Sequence, residues 1–127
     1  MSADNGIYIA KFPIANDSSN VEFRVKELQN IEDCYANGHS SLPLEIALAM
    51  RVIAFSDSTV FESKKEAETY AIQLYNDIMN GECPIIEYGI CDIEFEEPLP
   101  KISIKTARDF IDDYFGLIRK FNSYKCL

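Results

Sequence analysis

Arg24, Arg51 and Arg108 carry the side chains best suited to recognising a ligand in this 127-residue chain. A guanidinium is a planar fork that meets two phosphate oxygens at once, which an ammonium cannot do. Arg24 falls on the polar side of an alternating segment, Arg51 near the end of an apolar helical pattern, and Arg108 at the start of the last helical pattern. A cation in a helix's first turn opposes the helix dipole by roughly a few tenths of a kcal/mol or more, so Arg108 either pairs with neighbouring acids or holds an anion. For each arginine taken singly, a surface salt bridge is the plainer reading. Asp92, Glu94 and Glu96 alternate and so share one strand face, with Glu97 just beyond. Carboxylates at that spacing suit magnesium or calcium. The loop geometry and turn glycine of a dedicated calcium site are missing, so a solvated face that protects a strand edge from pairing is the simpler reading. Asp92, just past Gly89, also suits the hydroxyls of a ribose, and Tyr88 offers a ring on which a base can stack.

Other chemistries lack their parts. His39 is the only histidine and sits in a Gly-His-Ser-Ser turn, without the neighbouring nucleophile that acyl transfer requires. The five glycines are scattered and form no phosphate-cradling loop. Cys34, Cys83, Cys91 and Cys126 show no C-x-x-C spacing, which excludes a zinc site of the usual kind and leaves four reduced thiols. The expectation is a non-enzyme with no metal and no cofactor.

The elements that would hold these groups follow from periodicity and punctuation. "GIYIAKF" reads as a strand over Gly6–Phe12, apolar on both faces as a central strand requires and ended by Pro13. "ANDSSN" is a turn cluster, and Val21–Leu28 alternates with Val21, Phe23 and Val25 inward, which predicts an antiparallel hairpin. Asn37-Gly38 is a turn signal, and Ser41 to Pro43 opens a short buried helix, "PLEIALAM". "TVFES" suits a short strand. "SKKE" at Ser63–Glu66 is a capping box that opens a helix over Ser63–Asn80, burying Ala67, Tyr70, Ala71, Leu74 and Ile78 and stopped by Gly81. Pro84 prevents resumption, and Ile85–Phe95 reads as a strand whose apolar phase slips at Gly89, as at a bulge or a strand covered on both faces. A last helix over Thr106–Phe121 would bury Ala107, Phe110, Ile111, Tyr114, Leu117, Ile118 and Phe121, before a frayed tail over residues 122–127. The fold class is α+β, an antiparallel sheet with helices packed against it in a single domain over residues 1–127.

An apolar fraction of 47% suffices for a core, and a net charge of −9 disfavours DNA and anionic membranes as partners. No segment reaches the roughly 18 apolar residues of a membrane span, and the first residues lack the layout of a signal peptide, so a cytoplasmic location is expected. Seven tyrosines and eight phenylalanines exceed what one small sheet and three helices bury, which predicts a homo-oligomer, a dimer or higher.

"DNGIYIAKF", "FRVKELQNIED" and "CPIIEYGI" together make the chain resemble the phage-encoded Thoeris anti-defence sponge family. That resemblance spans Asp4 to about Arg108. It implies an antiparallel sheet flanked by helices and assembly as dimers or higher oligomers with ligand at subunit interfaces. It also implies sequestration of cyclic ADP-ribose-type signals, and in some members of cyclic oligonucleotides, in the host cytoplasm. The family's pocket residues are not carried over by position. The expected ligand contacts, Arg24, Arg51, Tyr88, Asp92 and Arg108, are chosen by their chemistry alone. A rival reading is an acidic protein-binding inhibitor, an anti-CRISPR or host-takeover factor, that uses the acid row from Asp92 to Glu97 against a host protein.

Overall fold

A computed structural model describes residues 5–15, 17–35, 42–82 and 85–125, with the side chains of 18, 32, 33 and 119–125 left aside. The turn at 37–38, His39, Ser41, Cys83, Pro84 and Cys126 lie outside the described residues. The elements are β1 (Asn5–Ile14), β2 (Asp17–Gln29), a 3-10 turn (Ile31–Cys34), α1 (Leu44–Phe55), β3 (Thr59–Phe61), α2 (Lys64–Met79), β4 (Ile90–Glu94) and α3 (Ile104–Lys125). The fold is α+β, with sheet order β3-β2-β1-β4. Chain contacts gather into two compact units: Met1–Ile31 with Asp57–Leu99, and Glu32–Ser56 with Pro100–Leu127.

The first unit holds the whole sheet. β1 and β2 form the expected antiparallel hairpin, with Ile9 opposite Val25 and Ala10 opposite Arg24. Pro13 does not end β1; the strand continues to Ile14 through a register shift between Pro13 and Ile14. β1 is central and buried on both faces, as its apolar run requires. On one face Ile7 and Ile9 join Phe23, Val25, Ala67 and Ala71 in a core closed by Phe61, Tyr70, Leu74 and Ile78. On the other, Tyr8, Ala10 and Phe12 are buried, and Phe12 stacks on Phe95 with ring centres 5.0 Å apart.

α2 lies across the first face because its stripe of small and apolar residues recurs every three or four positions. The Ser63 hydroxyl accepts from the Glu66 N–H at 3.2 Å, the serine half of the expected capping box. The sheet is antiparallel as expected in its β1–β2 and β2–β3 pairs; α2 links β3 to β4, and β4 adds one parallel pair with β1. A helical connection that crosses two strands returns the chain in the same direction, so parallel pairing follows from the β3-α2-β4 order.

The expected strand over Ile85–Phe95 is shortened to Ile90–Glu94. Gly89 adopts φ +68°, a left-handed conformation that cannot continue a pleated strand, and this is the physical origin of the phase slip. The stretch before it is tied to β1 by Asn5 instead of by a ladder. Asn5 is 7% exposed; its side chain donates to the Ile85 carbonyl at 2.8 Å and to Glu27 Oε2 at 3.1 Å, and accepts from the Glu87 N–H at 3.2 Å. Its carbonyl accepts from the Tyr88 N–H at 3.0 Å, and the Ile7 N–H then donates to the Gly89 carbonyl at 2.8 Å. Asn5–Ile7 and Ile85–Gly89 are therefore one interlocked feature.

The second unit holds α1 and α3, which pack on each other. α1 extends past the expected "PLEIALAM" to Phe55, with Pro43 at its N-cap and Ile46, Ala47, Ala49, Val52 and Phe55 buried. α3 runs to Lys125, so residues 122–125 are helical where a frayed tail is expected. The Ser103 hydroxyl caps it, accepting from the Thr106 N–H at 3.0 Å. Of the residues α3 is expected to bury, Ala107 and Ile111 are buried, Tyr114 is half-buried, and Phe110, Leu117 and Ile118 are exposed. The side chain of Phe121 lies outside the described residues.

Candidate functional site

Along the β4 edge, α2 leaves part of its sheet face open, and a groove of about 280 Å³ remains there. Its walls are Ile9 and Lys11 from β1, Phe23 from β2, Lys64 from the first turn of α2, and Asp92, Ile93 and Glu94 from β4. The parallel register sets Asp92 beside Ile9 and Glu94 beside Lys11, so all four belong to the face that α2 partly covers. Ile9 and Phe23 are buried and make an apolar floor.

Charges alternate around this floor. Lys64 Nζ lies 3.2 Å from Asp92 Oδ2, and Lys11 Nζ lies 3.7 Å from Glu94 Oε1. All four charged side chains are substantially exposed. Ion pairs of that kind contribute about 0–1 kcal/mol, so a ligand can open either one at small cost. Once opened, the ammonium groups can receive phosphate oxygens and the carboxylates can accept from hydroxyls. Lys64 also stands at the positive end of the α2 dipole, which favours a bound anion. Among the described residues, no group of three or more His, Cys, Asp and Glu gathers as metal ligands would.

The five residues expected from sequence are dispersed. Asp92 lies in the groove. Arg24 stands across from Ala10 on the opposite face of the sheet, with Nε 3.2 Å from Glu22 Oε1. The polar side of β2 is accordingly half-buried and not a solvent face. Tyr88 is exposed, and its Cβ packs over Gly6 on the Tyr8 side of β1. Arg51 and Arg108 belong to the second unit. Arg51 is mid-helix, 4% exposed, and donates from Nε to the Cys34 carbonyl at 2.7 Å, a structural bond that ties α1 to the 3-10 turn. Arg108 is exposed in the first turns of α3.

Lys11 and Lys64 are the groove residues that the arginine-led reading misses. Lys64 is open to the argument applied to Arg108, and Lys11 is not. Lys64 is a cation in a helix's first turn, and Lys11 is a cation on the same strand face as Ile7 and Ile9. What the sequence hides is the parallel pairing that delivers Asp92 and Glu94 to them.

Comparison of the chain with protein-family models, with curated proteins and with solved structures gives no match. Among the described residues, no helix is long and apolar enough to cross a membrane.

Proposed function

We propose that this protein is a non-catalytic binder that sequesters a cyclic nucleotide-type immune signal in the host cytoplasm during phage infection. The observation that carries the reading is the groove, in which two lysines and two carboxylates alternate over an apolar floor of Ile9 and Phe23. A cyclic nucleotide presents the matching set: a flat base for the floor, phosphates for Lys11 and Lys64, and ribose hydroxyls for Asp92 or Glu94. The likeness of "DNGIYIAKF" and "CPIIEYGI" to the sponge family supports the same ligand class. The groove is open on one side, and a homo-oligomer that closes over it fits the reading.

The test is isothermal titration of the full chain with cyclic ADP-ribose isomers and with cyclic oligonucleotides, followed by chromatography of the recovered ligand. The proposal expects saturable heat with at least one of them and its recovery intact. No heat with any, or conversion of the ligand to a product, contradicts it.

The exposed carboxylates of Asp92 and Glu94 on an edge strand, with Glu96 two residues past its end, favour a second reading, an acidic inhibitor of a host protein. Purification from host lysate separates the two. A small nucleotide released on denaturation supports sequestration, and a stoichiometric protein partner with no nucleotide supports the inhibitor.

A further inference from the structure

The chain holds three Asn-Gly pairs, at 5–6, 37–38 and 80–81, and the middle one lies outside the described residues. Asparagine before glycine is a chemically fragile pair, because no Cβ shields the glycine nitrogen from the asparagine side-chain carbonyl carbon. At 5–6 the fold demands both members. Asn5 donates from Nδ2 to the Ile85 carbonyl at 2.8 Å and to Glu27 Oε2 at 3.1 Å, and its Oδ1 accepts from the Glu87 N–H at 3.2 Å. A short side chain that both donates and accepts in this way is an amide, and aspartate lacks the donor. Gly6 is fixed by space, since a Cβ there would lie 3.2 Å from Tyr88 Cβ and 3.3 Å from the Tyr8 ring. The interlock of β1 with the 85–89 stretch therefore installs a labile pair at its own centre.

The same contacts keep that pair from reacting. Deamidation begins when the Gly6 nitrogen gives up its proton to solvent base and attacks Asn5 Cγ. A C–N bond forms, the Cγ–Nδ2 bond breaks, and ammonia leaves with one proton from solvent. The five-membered imide then takes up one water, giving aspartate or, when the ring opens at the main-chain carbonyl, isoaspartate. The ring closes only if Asn5 leaves its extended strand conformation and its side chain swings away from its three partners. Asn5 is 7% exposed and is paired opposite Gln29 at the start of β1, so this movement requires local unfolding. Asn80 differs, because it is exposed at the C-cap of α2, where helix ends fray.

We propose that Asn5–Gly6 is a deamidation site gated by unfolding of the β1 interlock, which turns a transient opening into a permanent one. Aspartate at position 5 presents a carboxylate to the Ile85 carbonyl and the Glu27 carboxylate, two acceptors with no proton to share. Isoaspartate adds a main-chain carbon and puts the start of β1 out of step with Gln29. Either product opposes reclosure of the stretch that leads into β4. The reaction consumes only water and does not depend on the ligand proposed for the groove.

Peptide mass spectrometry on the full chain tests it, counting amide-to-acid conversion at each asparagine after incubation at neutral pH, native in one arm and in denaturing urea in the other. Asn5 should convert roughly tenfold or more slowly in the native arm, because it reacts only through the small open population. Asn80 should outpace Asn5 in the native arm and match it in urea, where only the following glycine matters. Equal rates for Asn5 in the two arms overturn the gating, and no conversion of Asn5 in urea overturns the site. Gly6→Ala in urea should convert several-fold more slowly, because its Cβ crowds the attacking nitrogen; an unchanged rate overturns the cyclic route. Asn5→Asp, made directly, should lower the urea midpoint while Asn80→Asp stays near the wild type. An Asn5→Asp protein as stable as the wild type overturns the permanence of the change.

Discussion

Gly6 and Asn5 show how single residues set the approach to β4. A Cβ on Gly6 would lie 3.2 Å from Tyr88 Cβ and 3.3 Å from the buried Tyr8 ring, so Gly6→Ala requires one of these neighbours to give by a few tenths of an ångström. Urea unfolding should show a loss of about 1–3 kcal/mol for Gly6→Ala, the scale of overpacking. Asn5→Ala strips hydrogen-bond partners from the Ile85 carbonyl and the Glu87 N–H, and should cost about 1–3 kcal/mol by the same measurement. Asp17 titrates differently from a free aspartate. Hydrogen bonds from Ser19, then from the Asn20 amide, hold its carboxyl below the ordinary range. A depressed folded pKa gives stability that is present above the unfolded value and lost as pH falls through the folded one. NMR titration should therefore find Asp17 ionised to lower pH than a peptide aspartate, and Asn20→Ala should move its midpoint upward.

At the scale of elements, α2 rests on a cap that can be tested alone. Ser63→Ala removes the acceptor for the Glu66 N–H and should lower stability by about 0.5–2 kcal/mol, whereas Ser63→Asp should retain most of it. This cap was legible because its four residues signal a helix start through local hydrogen bonding. The β1–β2 hairpin was legible for a similar reason, since Val21, Phe23 and Val25 alternate strictly against Glu22, Arg24 and Lys26. The pairing of β4 was not. Ile90–Glu94 looks the same in sequence whether it joins β1 parallel or antiparallel, and only the path of the chain through α2 decides. α3 was legible as a helix but not in its burial: its apolar arc spans two adjoining stripes, and periodicity does not say which one the molecule uses.

For the molecule as a whole, a net charge of −9 coexists with a groove whose own charges balance, Lys11 and Lys64 against Asp92 and Glu94. Long-range repulsion by the acidic surface slows the approach of an anionic ligand and is screened by salt, so association should quicken as ionic strength rises from low values. Stopped-flow mixing at several salt concentrations checks this; a rate that falls with salt would show that local cations dominate the approach. The candidate site is legible in the sequence only through Asp92: the guanidinium fork singles out the arginines, whereas Arg51 serves the fold and the groove's cations are lysines. The central claim is that the groove holds the ligand. Its most direct test is calorimetry of Lys64→Ala beside Arg108→Ala, titrated with whichever cyclic nucleotide binds the wild-type protein. Loss of one ammonium–phosphate contact should weaken binding by Lys64→Ala roughly tenfold or more, and Arg108→Ala should bind as the wild type does. Full affinity in Lys64→Ala, or a loss confined to Arg108→Ala, would contradict the account.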